Sequence, residues 1–245
     1  KQAAAGQFGP GVFPGGAVKR LKPIAILSAT ERELRPLLKA LRGSVSKEYA
    51  MWRVNSGILR GVPVVAAASG CGKLNAALAA QMLADCCSIS ALLFVGLAGS
   101  LAPEVEVLDT VVCTEASFHD TEEEIYTDFP VLPRPAFPAD GALLSAARRA
   151  AERQTGTVHF GPATTGDRWT EWFHTGSLCV DMETAAAAHA CHLNQIPFLG
   201  VRVISDRNEA GKEEAILRNY DRAAARICSF TKTLVAELGR LDTEK

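Results

Sequence analysis

The chain has 245 residues, of which 48% are hydrophobic and 22% charged, and its formal net charge is −1. A chain of this size buries about 70% of its unfolded surface, which excludes a disordered segment and a small disulfide-held module. Near-neutral charge offers no bulk attraction to nucleic acid or an anionic membrane. No apolar run reaches the roughly 20 residues of a membrane-spanning helix, so a small-molecule ligand is the expected partner.

Residues 1–22 are rich in Gly, Ala and Pro and read as a flexible tail before a single domain over 23–245. Residues 23–28 (PIAILS) form a short apolar run, a buried first strand. Residues 29–42 then place Leu34, Leu37, Leu38 and Leu41 at helical spacing. Alternation over 51–59 and a second run over 62–68 flank Gly61, which predicts a hairpin. Residues 69–73 (SGCGK) turn into a helix over 74–86. A strand over 91–95 leads to a glycine-bearing turn over 96–101 and another strand over 107–114. Residues 121–140 are proline-rich and loop-like. A helix is expected over 141–154, strands over 157–164 and 178–180, an Ala-rich helix over 182–193, a strand over 198–205 and a closing helix over 213–241. This alternation predicts a three-layer α/β/α fold with a mixed, partly parallel central sheet.

The seven cysteines (Cys71, Cys86, Cys87, Cys113, Cys179, Cys191 and Cys228) are odd in number, irregularly spaced and without a CxxC pair. They read as buried free thiols in a reducing compartment. His189 and His192 are three apart on a predicted helix, but no third ligand accompanies them, so they read as a packed or solvated pair and no metal is expected.

In α/β sheets, ligands bind beyond the carboxyl ends of the strands. Those positions carry Thr30-Glu31-Arg32-Glu33, Ser69 to Lys73, Gly96-Leu97, Gly166-Asp167-Arg168-Trp169, Asp181-Met182-Glu183 and Asp206. Three carboxylates, Glu33, Glu183 and Asp206, therefore share one rim. Taken singly, Glu31 and Glu33 also suit the positive end of a helix, and Asp206 suits a cap. Gly72-Lys73 is not a phosphate loop, because Ala67 and Leu74 stand where that motif needs Gly and Ser or Thr.

Four collinear stretches carry a resemblance: IAILSATERELRPLL from Ile24, SGCGKLNAALAAQ from Ser69, VGLAGSLAPEVEVLDTVVCTEASFHD from Val95 and VDMETAAAAHACHLNQIPFLGVRVISD from Val180. Together they resemble the 5'-methylthioadenosine/S-adenosylhomocysteine nucleosidases of the nucleoside phosphorylase superfamily. The resemblance implies hydrolysis of a purine N-glycosidic bond without a cofactor, by a cytoplasmic homodimer. It places Asp206 as the acid that protonates the leaving purine, Glu33 as the acid that activates water, and Arg202 near that water. Glu183 would accept the ribose hydroxyls, Met182 would lie under the sugar, and Trp169 would stack on the base. Thr30 and Cys71 would line the pocket, and Tyr126 and Pro133 would cover the neighbouring subunit's 5' site.

The chain departs from the family pattern in three places. Leu97 replaces a serine that helps hold the water, which removes a phosphate donor and favours hydrolysis over phosphorolysis. Arg168 replaces a small residue beside the base and could meet a substrate carboxylate or point to solvent. The segment between Asp167 and Asp181 is shorter than in the family. These departures leave a futalosine-type or 5'-deoxyadenosyl nucleoside hydrolase, a phosphorylase and a non-catalytic nucleoside-binding protein as alternatives.

Overall fold

The computed structural model describes residues 22–121, 136–168, 176–207 and 211–243, with 241–243 described by backbone alone. The expected N-terminal tail, except Lys22, lies outside these residues. The described elements are β1 (Ile24–Ser28), α1 (Glu31–Leu38), β2 (Arg42–Tyr49), β3 (Trp52–Leu59), β4 (Val62–Ala68), α2 (Lys73–Cys87) and β5 (Ala91–Ser100). They continue with β6 (Thr110–Phe118), β7 (Ala136–Pro138), α3 (Gly141–Ala151), β8 (Val158–Thr165), β9 (Cys179–Asp181), α4 (Thr184–Leu193), β10 (Phe198–Asp206) and α5 (Lys212–Thr243).

All these strands join one sheet in the order β2-β3-β4-β1-β5-β9-β8-β6-β10, with β7 beside β6. Strand β10 also pairs back onto β5, so β5, β9, β8, β6 and β10 close a ring from which β1, β4, β3 and β2 extend. The pairs β1–β4, β1–β5, β5–β10, β6–β8 and β8–β9 are parallel and the rest antiparallel. The sheet is therefore mixed and partly parallel, as the alternation of elements predicts.

Strand β1 shows why helices cover both faces. Ile24 and Ile26 pack into the core beneath α1, α3 and α5, whereas Ala25 and Leu27 pack into the core beneath α2 and α4. Every residue of β1 is buried, as a strand sandwiched between helix layers requires. The small side chains Ala76, Ala79 and Ala80 of α2 and Ala186, Ala187 and Ala190 of α4 share the second core.

Three elements differ from the sequence expectation, the shortest being β7, which pairs with β6 inside the stretch read as a loop. Strand β2 (RGSVSKEY) has no apolar alternation because it is an exposed edge strand, held by its ladder to β3. Its charges suit an edge that must not recruit another strand. Strand β5 runs straight through the glycine-bearing stretch expected to turn. Its hydrogen-bond ladders to β10 and β9 hold residues 96–100 extended, and tertiary pairing overrides the local turn signal.

Candidate active site

The ends of β1, β5, β9 and β10 meet at one cavity of about 210 Å³. Of the residues expected from sequence, Thr30, Glu33, Cys71, Leu97, Arg168, Met182, Glu183 and Asp206 all line it. Trp169, Tyr126 and Pro133 lie outside the described residues.

Glu33 reaches the cavity as the third residue of α1. The sequence Thr30-Glu31-Arg32-Glu33 forms a capping box, which satisfies backbone donors at the helix start. Glu33 Oε2 accepts from the Thr30 N–H at 2.8 Å and from Thr30 Oγ1 at 3.0 Å. Its Oε1 accepts from the Leu97 N–H at 2.9 Å. The Leu97 side chain cannot hydrogen-bond, but its backbone fixes the carboxylate.

Glu183 is buried at the start of α4. Its Oε1 accepts from the Gly72 N–H at 2.8 Å. Gly72 has φ +93°, a left-handed conformation that glycine adopts without strain. Burial pushes the Glu183 carboxyl up to about 7, against the opposing pull of the Arg202 charge. Asp206 is buried at the end of β10, where a register shift interrupts the pairing with β5. Its Oδ2 accepts from Ser205 Oγ at 2.8 Å, and Asn219 of α5 donates to the Ser205 carbonyl at 2.9 Å.

Arg202 approaches Glu33 at Gly96 but lies deeper than the acids. It does not line the cavity; it lies fully buried behind the wall. Its Nε is 2.8 Å from Asp181 Oδ2 and its Nη1 donates to the Leu97 carbonyl at 3.3 Å. Nε and Nη2 also donate to Thr184 Oγ1 at 2.8 and 2.6 Å. Its guanidinium carbon is 4.7 Å from the centre of the Phe94 ring. It sits four residues before Asp206, roughly 13 Å down an extended strand, which explains why it stays behind the wall.

Sequence reasoning missed Asp181 as the partner of Arg202, although an acid just before a helix start is a recognisable capping signal. It also missed Ile216 and Tyr220 of α5, which line the cavity from far along the chain and leave no local trace. Lys73, the lysine of the glycine turn, is a clamp. Its Nζ lies 2.7 Å from Asp120 Oδ1, and its N–H donates to Asp167 Oδ1 at 2.9 Å. The cysteines are free, and five are buried as expected, whereas Cys86 is half-buried and Cys71 is exposed at the cavity. His189 is half-buried and stacks on Phe137 at 4.7 Å, and His192 lies 6.0 Å from the same ring.

An α/β sheet covered on both faces, with buried acids meeting at its strand ends, matches a known class. The chain belongs to the phosphorylase superfamily, whose sequence profile matches residues 23–236. Within it, the chain is similar to the 5'-methylthioadenosine/S-adenosylhomocysteine nucleosidases. It is 30% identical over 236 residues to the one from Chromohalobacter salexigens, covering 89% of this chain and 99% of that one. The nucleosidase of Neisseria meningitidis in complex with methylthio-immucillin-A superposes with a TM-score of 0.83 at 28% identity, covering 88% and 99% of the two chains. That of Colwellia psychrerythraea in complex with adenine does so with a TM-score of 0.83 at 27% identity, covering 89% and 96%.

Two outcomes test this geometry. A Cβ at Gly96 would collide with Arg202 Nη1 and lie 3.0 Å from Glu33 Oε1. Gly96→Ala should therefore lower stability by about 1–3 kcal/mol in urea unfolding, and an unchanged midpoint would show that Arg202 has room to move. Glu183 has its folded value raised from 4.5 to about 7, so the folded state holds the extra proton between those values and loses stability as pH rises through that window. The wild-type urea midpoint, measured against Glu183→Gln, should fall from about pH 5 to about pH 8. A constant difference would show that Glu183 ionises alike in the folded and unfolded chains.

Proposed function

We propose that this protein hydrolyses the N-glycosidic bond of a purine nucleoside and releases adenine from 5'-methylthioadenosine or S-adenosylhomocysteine. The observation that carries this reading is the convergence of the buried carboxylates Glu33, Glu183 and Asp206 on one cavity, whose fourth acid, Asp181, is paired with Arg202. Cleavage of such a bond passes through a sugar cation, as in glycoside hydrolysis. In the proposed reaction, Asp206 gives its proton to the purine ring nitrogen as the carbon–nitrogen bond breaks and its electrons pass to the base. Water adds to the sugar carbon and Glu33 takes its proton. Glu183 accepts the ribose hydroxyls, and its ionised form stabilises the cation. Met182 supports the sugar, and Arg202 acts behind the wall by positioning Glu183 and Leu97.

Hydrolysis is favoured over phosphorolysis because Leu97 places an aliphatic side chain at the cavity and its N–H is already bound to Glu33. Arg168 is exposed at the cavity edge. It supports including carboxylate-bearing nucleosides, adenosylhomocysteine and a futalosine-type substrate among them, as candidates.

The α2–α4 face is the proposed seat of a second subunit. Leu74, Leu78 and Leu193 are 71%, 48% and 50% exposed on neighbouring helices and line one groove. Exposed apolar clusters of this kind mark association surfaces, which supports a homodimer. The free thiols support a cytoplasmic location.

Free-base release from methylthioadenosine, adenosylhomocysteine, deoxyadenosine, inosine and a futalosine tests the activity. Adenine should be released at the same rate with and without phosphate, and strict phosphate dependence would replace hydrolysis by phosphorolysis. Asp206→Asn should slow release by about 10²–10⁴-fold, and an undiminished rate would remove Asp206 from the acid role. Sedimentation at micromolar concentration should show a dimer for the wild type and a monomer for Leu78→Glu; a monomeric wild type would overturn the homodimer.

A further inference from the structure

Thr30 Oγ1 has one proton to give and two lone pairs to fill, and three groups surround it. The Glu33 N–H donates to it at 3.2 Å. Glu33 Oε2, 3.0 Å away, accepts its proton. The Tyr220 hydroxyl is the third neighbour, at 2.5 Å. Because the threonine proton goes to the carboxylate, Tyr220 must be the donor in the remaining bond. Burial, with Glu33 adding to it, pushes the Tyr220 hydroxyl up to about 12, so its proton is retained at neutral pH.

The Glu33 carboxylate is then nearly saturated. It offers about four acceptor positions. Thr30 N–H and Oγ1 occupy the two on Oε2, and the Leu97 N–H occupies one on Oε1. One position remains, on Oε1, in a side chain that lines the cavity. Tyr220 is flanked by Arg32. The Arg32 guanidinium lies 4.2 Å from the centre of its ring, and Arg32 Nε pairs with Asp221 at 2.9 Å.

We propose that Tyr220 is a positioning residue for Glu33: by donating to Thr30 it commits the threonine proton to Oε2 and leaves Oε1 as the oxygen that receives the water's proton. The proposal rests on the nucleosidase reading above and adds to it a relay that enters from α5. Without the tyrosine hydroxyl, a water that takes its place can accept from Thr30 Oγ1 as well as donate to it, and so draw the threonine proton away from Oε2. Glu33 Oε2 then competes with Oε1 for the cavity. The cost falls on the chemical step rather than on substrate binding.

The test is a four-protein cycle: wild type, Tyr220→Phe, Thr30→Val and the double variant. Tyr220→Phe should lower kcat about tenfold with KM within about twofold. Thr30→Val should lower kcat at least as much, and Thr30→Ser should restore it. The double variant should be no slower than Thr30→Val alone, because Tyr220 acts through Thr30. A raised KM with unchanged kcat would make Tyr220 a wall of the substrate site and overturn the proposal, as would losses that multiply. Thr30→Val also weakens the α1 cap, whereas Tyr220→Phe and Thr30→Ser preserve it and carry the rate comparison. Urea midpoints of the same four proteins should be non-additive whatever the substrate, and additive midpoints would overturn the relay. If the wild type releases no base from any nucleoside, the nucleosidase reading fails and the proton-accepting role of Oε1 falls with it, whereas additive urea midpoints in an active enzyme overturn the Tyr220–Thr30 link alone.

Discussion

The site is organised around one buried ion pair, Asp181 with Arg202. Both side chains are shielded from solvent and meet at 2.8 Å. Asp181 also accepts from Thr165 Oγ1 at 2.6 Å and from the Glu183 and Thr184 N–H groups at 3.0 Å, and from the Thr184 hydroxyl. One carboxylate thereby ties β8, β9, α4 and β10 together, while Arg202 extends the connection to β5 through Phe94 and the Leu97 carbonyl. Burying two charges gains little over an apolar pair of the same shape, but stranding one of them costs about 3–5 kcal/mol. The pair therefore constrains geometry more than it adds stability. It fixes where α4 begins, and so where Glu183 stands.

That constraint sets the electrostatics of the cavity. Desolvation outweighs the pull of the Arg202 charge on Glu183, and the Asp181 charge adds to desolvation, which holds the carboxyl at about 7. Glu33 is treated differently, with three donors meeting its two oxygens. Asp206 is supported on one oxygen by Ser205. The acids that line the cavity thus receive different environments, which is how one pocket assigns different tasks to carboxylates. An uncharged nucleoside that becomes cationic as its bond breaks suits such a pocket, and a polyanion does not.

Several features were visible locally. The run PIAILS reads as a doubly covered strand because every residue is apolar or small, and both faces of β1 are indeed buried. Thr30 to Glu33 carries two readings at once, a helix cap and a site acid, and both hold: the capping box is what aims the carboxylate. Other features left no local signal. Strand β2 is polar because both its faces meet solvent, so periodicity fails there. Gly96 reads as a turn residue, yet it is a gap in an extended strand where Arg202 and Glu33 approach. Arg202 reads as one more polar residue in an apolar run, and its depth follows from the pairing of β10 with β5 and β6.

The sequence by itself determined the order of strands and helices apart from β2 and β7, the layers they form, and which strand ends carry acids, because hydrophobic period and chain polarity are local properties. The tertiary structure alone decided the closure of β10 onto β5, the descent of Arg202 behind the wall, and the arrival of Tyr220 beside Thr30, 190 residues away in the chain. Those outcomes depend on hydrogen-bond ladders and buried charges between segments remote in sequence. Their energies exist only once the segments have met, so no window of residues records them.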